Sequence, residues 1–353
     1  MATATLPAVS ERAQALHDRS IVIDGCSFFL KGYNDRIKQG GLTALNFTVA
    51  LPMEDTADAV IRIKEYYDIR RRDPKVAIPL TAADIEQCKA EGKVGAIIGS
   101  QNSRHFGTDL GLVELFHILG QRVCQLTYNE RNFVGDGCME PNDAGLSFYG
   151  KQVVAELNRV GMVIDLSHVG VKTSFDAVAA SKQPVVITHI GVKHVADTPR
   201  TASDELLKAV ASTGGVIGLT SLPVVNWRGT DQRPSINDYL DAIEHTIEVV
   251  GIDHVGIGSD HVVEPDGYPT WVRAYLSEKY NPYSPQRGVR MTSLADVMKG
   301  VEIEVDEQLE GYRGMQDLPR LTDALLTRGY SEEDTQKVLG GNFMRVFRQV
   351  WGS

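Results

Sequence analysis

The sequence is poor in the features that mark several protein classes. Its 353 residues hold only four cysteines, Cys26, Cys88, Cys124 and Cys138. They lie far apart with no C-x-x-C pair, so neither a disulfide framework nor a zinc ribbon is expected. Basic residues are the minority: 36 Lys and Arg stand against 46 Asp and Glu, a formal charge of -10, which argues against general affinity for nucleic acid or an anionic membrane. No window approaches the roughly 18 uninterrupted apolar residues that span a bilayer, and the opening MATATLPAVSERAQALHDRS has no basic segment leading into an apolar one. The expectation is a cytoplasmic protein. No internal repeat, low-complexity tract or linker stands out, so a single domain over 1–353 is the simplest division. With 42% hydrophobic residues the chain can bury a large core.

What is present is alternation. Short apolar, β-branched runs occur at 20–25 (SIVIDG), 44–51 (ALNFTVAL), 93–100 (KVGAIIGS), 123–129 (VCQLTYN), 162–168 (MVIDLSH), 184–189 (PVVITH), 215–222 (GVIGLTSL) and 254–261 (HVGIGSDH). Between most of them apolar residues recur every three or four positions, as in DTADAVIRIKEYYDI and INDYLDAIEHTIEVVG, the pattern of amphipathic helices. Eight such units predict an α/β fold, a (β/α)8 TIM barrel, with helices near 317–329 and 331–349 as C-terminal elaborations. An open doubly wound sheet is the runner-up, but no G-x-G-x-x-G follows the first run. Residues 262–316, with Trp271, Tyr275, Tyr280 and Tyr283, read as an extended loop suited to a lid or a dimer contact.

In such a barrel the active site lies at the carboxyl ends of the strands. The side chains there are Asp24 and Cys26, Gln101 and Asn102, Tyr128 and Asn129, His168, His189, and Asp260 with His261. Taken alone, either histidine is more simply a hydrogen-bonded structural residue. Two histidines on adjacent strands together with Asp260 form a site signature, suited to one divalent metal. Asp260 could be a further ligand or a general base, and Arg200, in TPRT, could hold a substrate carboxylate through its planar fork.

Several stretches carry a resemblance: SIVIDG, GLSFYGKQVVAELNRVGMVIDLSHVG, PVVITHIGVKHVADTPR, GIDHVGIGSD and RGYSEEDTQKVLGGNFMRVF. Jointly they resemble the renal or membrane dipeptidase family of zinc peptidases, over most of the chain. The resemblance implies a hydrolase of dipeptides or related small amides that uses two zinc ions bridged by a glutamate. His168 and His189 match that family's ligands of one metal, Asp260 its catalytic aspartate, and Arg200 its substrate-carboxylate arginine. The departures gather at the metal site. Where the family has D-G-H-x-D, this chain has Asp24, Gly25, Cys26, Ser27 and Phe28; where it has the bridging glutamate, this chain has Gln101, then Asn102; Tyr128 replaces a substrate-contacting histidine.

A neutral amide is a poor bridge between two dications, so a binuclear centre is not expected. Two alternatives stay open: one Zn2+ on Cys26, His168, His189 and Asp260, or a metal-free site in which Cys26 or Tyr128 takes part in the chemistry with Asp260. Gln101, Asn102 and His261 would join Arg200 in binding substrate. The leading expectation is a dipeptidase-like hydrolase acting on a small peptide, amide or carboxylate-bearing molecule, and a homodimer. The alternatives are a non-catalytic binding pseudoenzyme, which an apolar Phe28 in the pocket would suit, and a metal-free lyase or isomerase.

Overall fold

The fold is taken from a computed structural model that describes residues 8–52, 54–229, 232–263 and 309–352. Eight parallel strands follow the chain in order: β1 Ile23–Phe28, β2 Ala44–Ala50, β3 Val94–Ser100, β4 Gln121–Gln125, β5 Val163–Asp165, β6 Val185–Val192, β7 Val216–Leu219 and β8 Val255–Ile257. Each pairs in parallel with its sequence neighbour from β1 to β8. Closure comes from a broken final strand. Three residues beyond β8, His261–Val262 pairs in parallel with the end of β1, setting Ser27 opposite His261 and Phe28 opposite Val262. The Gly258 amide still donates to Leu219, whereas the Asp260 amide donates to Cys26, so the chain crosses from β7 to β1 within this short stretch.

The strands are buried on both faces, as a parallel sheet covered by helices requires. Inward-facing Ile23, Ala44, Ile97, Val123, Val163, Val186 and Val216 pack against Phe343, Met344 and Phe347 of the helix Asn342–Trp351. That helix plugs the amino-terminal end of the barrel and leaves the carboxyl end for polar residues. Outside, helices start where side chains satisfy the first free amides: Asp55, Thr81 and Ser235 each form a capping box with the acid three residues on.

Strand ends differ from the sequence pattern for identifiable reasons. β1 runs on to Phe28 because His261–Val262 supplies its backbone partners, so Asp24 and Cys26 lie within it. β5 stops at Asp165, whose carboxylate takes the Ser167 amide and turns the chain. Short pairings at Val76–Ala77 and Thr201–Ala202 extend the sheet. The expected C-terminal pair of helices is three, Leu318–Thr327, Glu332–Gln336 and Asn342–Trp351, separated in the last case by a wide turn at Lys337–Gly341. There Gly340 approaches β1 so closely that an added Cβ would lie 2.6 Å from the Ile21 carbonyl oxygen. Of the 262–316 loop, Trp271, Tyr275, Tyr280 and Tyr283 lie outside the described residues.

Candidate active site

Side chains from β1, β3, β6 and the turns after β5 and β8 converge at the carboxyl end. Gln101 follows β3, and its amide nitrogen faces three acceptors at once: Cys26 Sγ at 3.2 Å, His189 Nε2 at 3.2 Å and Asp260 Oδ1 at 3.4 Å. The Cys26 thiol donates to Asp260 Oδ1 at 3.4 Å, and His189 Nε2 lies 3.9 Å from the same oxygen. His168 Nε2 stands 2.9 Å from His189 Nε2, and its ring stacks on Tyr128 with centroids 4.1 Å apart. Every expected site side chain in this cluster is buried or nearly so.

Backbone strain accompanies the cluster. His168 and Asp260 both adopt left-handed φ, 61° and 59°, a conformation that non-glycine residues hold at a cost of about 1–3 kcal/mol and that gathers at functional sites. Asp24, fully buried, ties the site's base together: its carboxylate accepts the Ser259 amide at 2.7 Å, the Ser259 hydroxyl and the Cys26 amide at 3.2 Å. It therefore organises the turns carrying Cys26 and Asp260 and does not face the other site groups.

Burial governs the protonation states. It pushes the Asp260 carboxyl up to about 6 against the pull of Arg200, and Asp24 up to about 7 against its Ser259 bonds. Burial, with Asp260 and Asp24 nearby, drives the Cys26 thiol well above its ordinary range, and burial raises the Tyr128 phenol. Both histidines are held well below the usual imidazole range by burial and by the charge of Arg200. Arg200 is itself 4% exposed and forms no ion pair with a carboxylate among the described residues; a buried guanidinium in that state suits an incoming anion.

Other expected residues are placed differently. The Asn102 amide donates to the Pro52 carbonyl at 3.0 Å and its oxygen accepts from Asn132 at 2.6 Å, so it ties loops together beside Tyr128. His261 lies 3.4 Å from the Ser221 hydroxyl, with no hydrogen bond to the central cluster, and burial takes its imidazole down to about 3. The Phe28 ring packs on Phe29. His17 bonds to Thr322 and the Gly40 carbonyl, and His254 to the Gly215 carbonyl, away from the site. Sequence reasoning missed Asp165 and Thr188, which stand directly behind the histidines; the available signal was a carboxylate and a hydroxyl inside otherwise apolar strand runs.

The donor types suit a divalent metal ion. The candidate ligand atoms of Cys26, His189 and Asp260 all lie within 4.8 Å of one another; His168 Nε2, outside that group, stands beside His189 Nε2. A tetrahedral zinc ion sets its nitrogen ligands about 3.3 Å apart. His168 Nδ1 bonds to Asn129 Oδ1 at 2.6 Å and His189 Nδ1 to the Thr188 hydroxyl at 2.8 Å, leaving both Nε2 atoms turned toward each other.

This is a closed parallel barrel whose mouth gathers imidazole, thiol, amide and carboxylate side chains beside a buried arginine. The sequence profile of the membrane dipeptidase family (Peptidase family M19) matches residues 10–273 and 301–351, and the chain belongs to that family. Dipeptidase tcpJ of Claviceps purpurea is 27% identical over 303 residues, 84% of this chain and 60% of its own length. Dipeptidase verJ of Clonostachys rogersoniana is 27% identical over 287 residues, 80% of this chain and 62% of its own. The chain thus spans about three fifths of the length of these two relatives. Among solved structures, an amidohydrolase from Pseudomonas aeruginosa has a TM-score of 0.84 and 36% identity, covering 97% of this chain and 99% of that one. A metallopeptidase from Rhodobacter sphaeroides, liganded with a phosphinate mimic of L-Ala-D-Ala, shares the fold with a TM-score of 0.72 at 23% identity, over 94% and 100% of the two chains.

Proposed function

We propose that this chain is a dipeptidase-like hydrolase of small peptide, amide or carboxylate-bearing substrates whose site holds one divalent ion and no binuclear centre. The observation that carries this reading is the Gln101 amide nitrogen, set 3.2–3.4 Å from Cys26, His189 and Asp260. An amide with two N–H donors can hold two of those three acceptors at a time in the absence of metal, but it brings no negative charge to offset a second dication. His168, His189, Cys26 and Asp260 would hold the single ion. When bound, such an ion polarises a substrate carbonyl and makes water acidic near neutrality.

The chain's own residues supply the rest. Arg200 receives the substrate carboxylate and fixes the scissile bond over the cluster. Asp260, held between the Cys26 thiol and the Gln101 amide, accepts the proton of the attacking water. Tyr128, its phenol protonated and its ring fixed on His168, serves as a hydrogen-bond donor to the developing oxyanion or leaving amine. Cys26 bonds to Asp260 and Gln101 and to neither imidazole, which disfavours a cysteine–histidine nucleophile. A homodimer and a cytoplasmic setting remain part of the proposal; no helix among the described residues is long and apolar enough to cross a membrane.

Turnover of a panel of dipeptides and N-acyl amino acids, with and without added zinc, tests the reading. Zinc-dependent hydrolysis that is abolished in Asp260→Asn and weakened in KM by Arg200→Lys supports it. Binding of such compounds without turnover under any metal condition would favour the non-catalytic binding reading.

A further inference from the structure

We propose that Asp165 is a positioning residue that sets the tautomer of His189 and the turn that carries His168, so that both imidazoles offer a bare Nε2 to the site. The inference rests on the reading of His189 as a site residue, and it concerns a carboxylate that touches none of the converging side chains' functional atoms directly.

Asp165 ends β5, wholly buried. Its Oδ1 accepts the Ser167 amide at 2.9 Å, the Ser167 hydroxyl at 2.7 Å and the Thr188 amide at 2.9 Å; its Oδ2 accepts the Thr188 hydroxyl at 2.6 Å. A hydroxyl has one proton to give. With the Ser167 proton on the carboxylate, Ser167 Oγ is free to accept, and it receives the His189 backbone amide at 3.0 Å. With the Thr188 proton likewise committed, Thr188 Oγ1 can only accept from His189 Nδ1, 2.8 Å away. Ser167 Oγ also lies 3.1 Å from Thr188 Oγ1; with Asp165 ionised and both hydroxyl protons directed to it, proton counting leaves His189 protonated on Nδ1 and bare on Nε2.

A separate contact agrees: the Gln101 amide nitrogen, a donor, lies 3.2 Å from His189 Nε2, where a bare Nε2 can accept. The same carboxylate, by holding the Ser167 amide, shapes the turn in which His168 takes its left-handed φ of 61°. One buried acid thus aims two imidazoles from adjacent strands, the arrangement by which groups behind a ligand histidine fix its ring and its basicity.

Asp165→Asn makes the logic testable. The three donors on Oδ1 require the new amide to keep its oxygen there, which turns its NH2 toward Thr188 Oγ1. The threonine hydroxyl then accepts from the amide and donates to His189 Nδ1, so the imidazole proton moves to Nε2 and the lone pair leaves the site.

The experiment uses the full chain, labelled with 15N-histidine, chelator-treated and held at pH 8, read by long-range 1H–15N correlation with His189→Gln assigning the signal. The expected result is an Nδ1–H tautomer for His189 in the wild type and in Thr188→Ser, and an Nε2–H tautomer in Asp165→Asn. Zinc affinity by titration should fall about 10- to 100-fold in Asp165→Asn. A folded Asp165→Asn that keeps the Nδ1–H tautomer overturns the proposal. Should that variant fail to fold, Thr188→Val removes the acceptor while keeping the shape, and retention of a pure Nδ1–H tautomer there also overturns it. Tautomer inversion in a chain whose wild type takes up no zinc supports the positioning role while rejecting the metal reading of the site.

Discussion

Replacing Gln101 by Glu exchanges one nitrogen for one oxygen at the point where three acceptors converge. In the metal-free protein the new carboxylate would stand about 3.4 Å from Asp260 Oδ1. Two unit charges at that distance, with an effective dielectric constant of about 20, repel by about 5 kcal/mol. Taking up a proton costs less: the Asp260 carboxyl already sits at about 6, so holding it protonated at pH 7 costs about 1.4 kcal/mol. The metal-free variant should therefore bind one extra proton and lose about 1–2 kcal/mol of stability. In a chain of this length that lowers Tm by roughly 1–4 °C. Zinc reverses the sign, because it displaces that proton and gains a carboxylate neighbour; at a free concentration 100 times Kd it contributes about 2.7 kcal/mol. Scanning calorimetry of both proteins, in chelator and in excess zinc, reads the effect. An equal zinc response in the two proteins, or a metal-free variant as stable as the wild type, would refute the placement of Gln101 at the cation position.

Three further outcomes are expected. Arg200→Lys keeps the charge but loses the planar fork, and should weaken a carboxylate-bearing ligand by about 10- to 100-fold in isothermal titration; undiminished affinity would remove Arg200 from the binding role. Buried His105, bonded to Gln121 Oε1 at 3.0 Å, has its imidazole lowered to about 4 by burial. The unfolded chain, with an ordinary imidazole near 6.5, binds the extra proton between those values, so stability is full above pH 6.5 and falls as pH drops toward 4. The difference is about 3 kcal/mol, read by urea unfolding of wild type against His105→Gln across pH 4.5–7.5; parallel curves would contradict it. Phe343→Ala empties the plug of the barrel, where Phe343 meets Gly25 and Gly256, and should cost about 3–5 kcal/mol in the same assay.

The barrel was legible because its information is local and repeated: eight apolar runs separated by amphipathic helices, each long enough to carry its own period. The converging residues were legible for the same reason, since Cys26, Gln101, Tyr128, His168, His189 and Asp260 stand at or near the ends of those runs. What escaped depends on pairing between distant segments. β1 is carried through Phe28 by pairing with His261–Val262, a contact that no local pattern in SFFL announces. Asp24 is committed to Ser259, far away along the chain, a bond across the closing strands that its position in SIVIDG does not announce. Asn102, expected at the strand end beside Gln101 to bind substrate, donates to the Pro52 carbonyl and accepts from Asn132, bonds between separate loops that its strand-end position does not announce. Asp165 and Thr188 were passed over as strand residues because their importance lies in how two hydroxyl protons are shared out, which only the assembled network fixes.

The central claim is that the site holds one ion. It is tested most directly by metal content per chain, measured by mass spectrometry on protein purified without a metal-affinity tag and equilibrated with zinc, for the wild type and for His168→Ala with His189→Ala. About one zinc per chain, lost in the double variant, is the predicted result. Two zinc ions per chain, or none after equilibration, would contradict the account.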